Sequence, residues 1–97
     1  MTDDRTRIMS VFGVLKNETR LRVLQSLRGT SARNALREGQ IADDLQIGQS
    51  HAAQCIKHLV EAGLIQRQGT MLHSPYAITS TGTKVLKLAE KIAETVK

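Results

Sequence analysis

The apolar residues fall into periodic runs separated by polar or glycine-bearing breaks. From Thr2 to Lys16, the residues Ile8, Val11, Phe12 and Leu15 recur at i, i+3, i+4 and i+7, the spacing of one helix face. Asp3 and Asp4 suit the positive N-terminal end of that helix. Met9 and Val14 lie off the stripe, so the helix is apolar on more than one side, as a helix that packs on a partner chain is. Asn17 reads as the N-cap of a second helix. Its inner face is Leu21, Val23, Leu24 and Leu27, its outer face Arg20, Arg22 and Arg28, and Gly29 ends it. Gly29 to Glu38 is polar and turn-rich and reads as a loop, with room for a two-residue strand near Ala35 and Leu36.

The middle of the chain carries the most informative pattern. Gln40 to Leu45 is a short helix with Ile41, Ala42 and Leu45 inward. Gln46 to Gln49 contains Gly48 and reads as a tight turn. Ser50 to Ala62 is a longer helix whose stripe is Ala52, Cys55, Ile56 and Leu59, and Gly63 stops it. Short helix, turn and longer helix make a helix-turn-helix, whose second helix enters a DNA major groove. Leu64 to Arg67 then reads as a strand of alternating character, Gln68 to Ser74 as a loop and Tyr76 to Ile78 as the antiparallel partner, with Pro75 at an edge position. A hairpin directly behind such a helix is a wing. Thr79 reads as the N-cap of a final helix running to Lys97, with Gly82 allowing close packing in its first turn. Val85, Leu88, Ala89, Ile92 and Val96 form its stripe, widened by Leu86 and Ala93. The expected fold is mainly α with a small β-hairpin. It is a winged helix-turn-helix in the order helix, helix, helix, helix, strand, strand, helix, forming one domain over residues 1–97.

Two surfaces are candidates for binding. On the longer helix and the wing, Gln49, Ser50, His51, Ala53, Gln54, Lys57, His58, Arg67, Gln68, Thr70 and His73 are the candidate DNA contacts. Ser50, His51 and Gln54 can donate or accept at base edges, and Ala53 lets the backbone approach or touches a thymine methyl. Lys57 and His58 lie further along, better placed for phosphate. On the terminal helices, Ile8, Val11, Phe12, Leu15, Val85, Leu88, Ala89, Ile92 and Val96 are the candidate homodimer interface. A winged-helix core does not need a terminal helix this long and this apolar, and a domain of 97 residues holds a marginal core that dimerisation would support.

Composition narrows the classes. The net charge of +5 and pI near 9.9 favour a polyanionic partner. Around the helix-turn-helix, though, Arg33, Arg37, Lys57 and Arg67 are matched by Glu38, Asp43, Asp44 and Glu61. No apolar run approaches a membrane span, and the first residues lack the basic start and apolar run of a signal peptide. The single cysteine excludes an intramolecular disulfide. The cytoplasm is the expected compartment. No phosphate-binding glycine-rich loop and no nucleophile–base pair is recognisable, so no enzymatic activity and no cofactor are expected.

His51, Cys55 and His58 stand at i, i+4 and i+7, near one side of a helix, and imidazole and thiolate suit zinc or copper. Cys55, however, belongs to the buried stripe, and His51 is wanted for DNA. No metal site is therefore assigned. A disulfide between symmetric subunits is also excluded. Recognition helices in successive major grooves stand about 34 Å apart, whereas a disulfide needs its Cα atoms within about 7 Å.

Leu15 to Leu27, LKNETRLRVLQSL, resembles the opening helices of the ArsR-type winged-helix repressors. Gln40 to Leu45 and Ile47 to Ile65 are similar to that family's helix-turn-helix, above all IKHLVEAGLI from Ile56 to Ile65. Tyr76 to Leu86, YAITSTGTKVL, resembles a strand-to-helix step shared with the MarR and PadR types. The resemblance implies a homodimeric, double-stranded-DNA-binding transcriptional regulator, usually a repressor released by a signal. The chain departs from the family in three places. Gly48 stands where a serine commonly opens the recognition helix, which leaves Ser50 as the cap. The cysteine pair of the metal-sensing members is absent from Gln40 to Leu45. The terminal helix carries Glu90 and Glu94 but no histidine. The sequence leaves open whether an effector or a protein partner is sensed. It also leaves a second function class: a winged-helix module that binds protein rather than DNA, drawing on Met71 and Leu72 at the wing tip.

Overall fold

Asp3 opens the first helix of the computed structural model, which describes residues 3–96: its Oδ1 accepts the Thr6 amide at 2.9 Å. That bond holds the Asp3 carboxyl below the usual range. Helix α1 spans Asp4–Leu15, and the Thr2 start expected for it lies outside the described residues. Asn17 caps α2 (Glu18–Ser26) in the same way, its Oδ1 accepting from Arg20 N at 3.0 Å. Helix α3 (Glu38–Leu45) begins two residues earlier than the pattern indicated. Gln40 reaches back, and its Oε1 accepts the Arg37 amide at 2.9 Å, so the glutamine expected to start the helix instead sits in its first turn.

The turn into α4 (Gln49–Glu61) differs from the expectation in its chemistry. The left-handed residue is Gln46, at φ 54°, whereas Gly48 is extended at φ −64° and occupies the N-cap. Ser50 lies inside the helix and does not cap it, because Gly48 O already accepts the Ala52 amide at 3.0 Å. Helix α4 ends where Gly63 takes φ 77° and Leu64 N reaches back to Leu59 O at 3.0 Å, a six-to-one bond that a β-carbon would strain.

Strands β1 (Ile65–Arg67) and β2 (Tyr76–Ile78) pair antiparallel with Ile65 opposite Ile78 and Arg67 opposite Tyr76. The alternation expected of Leu64 to Arg67 is absent. Leu64 and Ile65 are both buried and Gln66 and Arg67 both exposed, because the chain passes straight from the core to the wing. The short strand expected near Ala35 and Leu36 is a single bridge: Leu36 and Tyr76 exchange backbone bonds of 2.9 and 2.7 Å. Thr79 caps the last helix, α5 (Ser80–Thr95), accepting from Gly82 N at 2.9 Å, and Val96 is its C-cap. The Lys97 end expected for it lies outside the described residues. The described residues thus form five helices and one hairpin in the order α-α-α-α-β-β-α, the winged helix-turn-helix arrangement.

Val23, Leu24 and Leu27 meet Ile41, Cys55, Ile56 and Leu59, closed by Leu64, Ile65 and Leu86. This core clamps α4 along one face and leaves the other free. Leu21 is only half-buried and packs on the rim. Arg22 Nη2 donates to Leu45 O at 3.2 Å, tying α2 to the end of α3. Arg28 holds Glu90 through both guanidinium nitrogens, tying α2 to α5. The Arg28 hydrogen bonds depress the Glu90 carboxyl and raise the guanidinium. A carboxyl whose folded pKa is lowered stabilises above its unfolded value and loses that contribution as pH falls through the folded value. The stability gap between wild type and Glu90→Gln is therefore expected at neutral pH and absent below the carboxylate range. Both side chains are exposed, so the gap should be small and shrink with salt. Urea titrations across pH would check this; a gap that widens in acid would contradict it.

Candidate nucleic-acid interface

Helix α4 is half core and half surface. Ala52, Cys55, Ile56 and Leu59 are buried, as their spacing predicts. Burial pushes the Cys55 thiol up, so it sits as a neutral, small apolar group rather than a thiolate ligand. No group of three or more His, Cys, Asp or Glu among the described residues is arranged to hold a metal ion.

The other face presents Gln49, Ser50, His51, Gln54, Lys57 and His58 to solvent, with Ala53 half-buried among them. Gln49, at the first helical position, is not free: its Nε2 donates to Glu38 Oε2 at 3.1 Å. The first turns of α3 and α4 are thereby latched together.

The wing stands beside this face. Ala53, Ile56, Lys57, Val60, Glu61, Arg67 and Tyr76 line one groove between α4 and the hairpin. Arg67 and Tyr76 also line a second, with Glu38, Leu72, His73 and Ser74. The two grooves thus share Arg67 and Tyr76, with Ala53 and Lys57 on the one side and His73 on the other. His51 and His58 line neither groove. Thr70 and His73 are exposed at the hairpin end, and Gln68 is half-buried with its backbone N–H donating to Pro75 O at 2.7 Å. Arg67 Nη2 donates to Met71 O at 2.5 Å, so part of that guanidinium already holds the loop. Met71 and Leu72 do not pack back on the domain: they are 77% and 81% exposed.

Glu38 and Tyr76 were not singled out by pattern. Glu38 was hidden because α3 starts earlier than its apolar residues do, and Tyr76 because it read only as a strand residue. A signal for the wing was present in the sequence: no Asp or Glu stands between Glu61 and Glu90, while Arg67 does.

The second candidate surface lies on α1 and α5. Helix α1 has no buried residue. Phe12, Leu88 and Ile92 are 55%, 61% and 49% exposed. Ile8, Val11, Phe12, Leu15, Val85, Leu88, Ala89 and Ile92, with Arg7 at the rim, line an open groove of about 260 Å³. Val96 lies apart from that groove and borders the next one with Leu88, Lys91, Ile92 and Thr95. Apolar exposure of this extent along two adjacent helices is a mark of an interaction surface.

No described helix is long and apolar enough to cross a membrane. No curated protein matches the chain. Among solved structures, it is similar to reduced HlyU from Vibrio cholerae N16961, at 22% identity and a TM-score of 0.72, covering 96% of this chain and 92% of that one. It is similar also to Mb0332 from Mycobacterium bovis, a homodimeric winged helix-turn-helix domain described as a possible ArsR-family regulator. There the identity is 20%, the TM-score 0.74, and the coverage 96% and 88%. A third is MepR from S. aureus in complex with DNA, at 16% identity and a TM-score of 0.73, with 94% and 76% covered. At these identities the likeness is one of fold, and it is the fold that the order of elements gives. The sequence comparison goes further, since residues 16–75, more than half of the chain, match a family model. The chain belongs to the winged helix DNA-binding domain family.

Proposed function

We propose that this protein is a homodimeric, sequence-specific, double-stranded-DNA-binding transcriptional repressor. One observation carries the reading: α4 buries its whole apolar stripe in the core while a polar, lightly charged face stands clear beside the wing. Such a helix enters a major groove with its N-terminal residues at base edges. Ser50, His51, Ala53 and Gln54 then face bases, Lys57 and His58 face phosphate, and the wing over residues 68–74 follows the backbone or the minor groove. The groove between α1 and α5 is the dimer interface, and the whole of residues 1–97 acts as one domain. MepR is seen on DNA and the Mb0332 domain as a homodimer, which supports both parts of the reading. A regulator of this kind works in the cytoplasm without cofactor or catalysis.

Gln54 and Lys57 provide the test. Replacing Gln54 with Ala should change which sequence is preferred, costing about 1–3 kcal/mol on the original site. Replacing Lys57 with Ala should weaken binding to all sequences alike and lower the salt slope by about 1. Anisotropy titrations over a salt series would read both. If neither change moves affinity, α4 is not the reading helix. The exposed Met71 and Leu72 favour a second reading, a protein-binding module, which predicts no duplex affinity at moderate salt.

A further inference from the structure

The wing tip is built in a way that reading a backbone does not require. Its two outermost side chains, Met71 and Leu72, are apolar and more exposed than any other large apolar residue described. A loop free to collapse would turn them inward. This one is fixed: Met71 O accepts from Arg67 Nη2 at 2.5 Å, from Ser74 Oγ at 2.5 Å and from Ser74 N at 3.1 Å. Ser74 is itself buried, and His73 beside it takes the left-handed φ of 67°. These bonds fix the backbone of the tip at Met71 and leave the Met71 and Leu72 side chains outward.

We infer that Leu72, with Met71 beside it, is a wedge that enters the minor groove between two stacked base pairs and bends the duplex. The inference rests on the DNA-binding reading and adds to it how the wing engages. Three observations favour DNA as the occupant. Leu72 lines a groove whose Arg67 and Tyr76 also line the groove of Ala53 and Lys57 on α4, so the tip lies beside the face offered to the duplex. The stretch between Glu61 and Glu90 has no acidic residue to repel phosphate. Two carboxylates border these grooves: Glu38, on the side of Leu72, is engaged by Gln49, and Glu61 lines only the α4 side. Leucine and methionine inserted between base steps partly unstack them and kink DNA by roughly 20–90°. The flexible pyrimidine–purine steps yield most readily, so the tip would select sequence by deformability rather than by hydrogen bonds.

The test uses the full chain and a duplex that it enriches from random sequence, labelled at both ends for energy transfer. Wild type should shorten the end-to-end distance on binding. The M71S/L72S variant should fold as wild type does, since both residues are exposed. It should bind about tenfold more weakly, leave the duplex straight and keep the same salt slope, because no phosphate contact is lost. If wild type binds but leaves the duplex straight, and the variant binds equally well, the tip faces a protein or lipid and the wedge is overturned while the DNA-binding reading stands. A variant that lowers the salt slope would make the tip a backbone contact and also overturn it. If no duplex is enriched at all, the DNA-binding reading fails and the wedge with it.

Discussion

Gly82→Ala is expected to destabilise the fold by about 3 kcal/mol, at the upper end of overpacking effects. A β-carbon at Gly82 would lie 2.0 Å from Leu64 O and 2.8 Å from Ile78 Cγ1. The first of these is backbone and cannot rotate away. Leu64 is held there by Thr79 N, which donates to the same carbonyl oxygen at 3.0 Å, while Thr79 Oγ1 donates to Gly63 O at 2.7 Å. The first turn of α5 is therefore pinned against the end of α4 at a distance that only glycine permits. For a domain of this size the loss corresponds to roughly 10–20 °C in Tm. Gly39→Ala is the control: nothing lies within 4 Å of its β-carbon position, and it sits inside α3. There alanine should raise stability by about 0.5–1 kcal/mol. Thermal and urea melts of the two variants would check the pair. Equal effects would mean that α5 does not dock on Leu64 as described.

The second large effect is on assembly. Leu88→Glu should yield a folded monomer that binds DNA at least about 100-fold more weakly. Leu88 is 61% exposed in the single chain, so a glutamate there is solvated and the fold survives. In a two-fold dimer closed over the groove between α1 and α5, each interface would receive the charge twice. Two unpaired carboxylates buried among Ile8, Phe12 and Ile92 cost more than apolar contact returns. A monomer engages one half-site and loses the gain from binding both on one duplex. Light scattering and anisotropy would read the two consequences. A variant that stays dimeric would move the interface elsewhere.

Both effects depend on features of unequal visibility in the sequence. The order of elements was legible because each helix announces itself by its apolar spacing and its cap: Asn17 and Thr79 cap as their positions suggest. The stripe Ala52, Cys55, Ile56, Leu59 fixed which face of α4 turns outward. The starts of α3 and α4 were not legible, although Leu45 and Gly63 end them as read. Gln40 looks like a helix start yet reaches backward to cap, and a glutamine rather than the nearby glycine takes the left-handed turn. Composition cannot show such choices, because they are decided by which backbone groups lack partners. The strand at Ile65 was misread as alternating, since its two apolar residues close the core in succession and its two polar ones lead out along the wing. The Glu38–Gln49 latch depends on how α3 docks on α4, and no local spacing carries it.

Whether the protein reads DNA sequence is decided by one titration. Wild-type protein would be added to a labelled duplex that it has enriched from random sequence and, in parallel, to a scrambled duplex, each at two salt concentrations. Binding should be tighter to the enriched duplex, with the preference kept at the higher salt, because base contacts survive where phosphate contacts weaken. Equal and salt-fragile binding to both, or binding to neither by a folded dimer, would contradict a sequence-reading role.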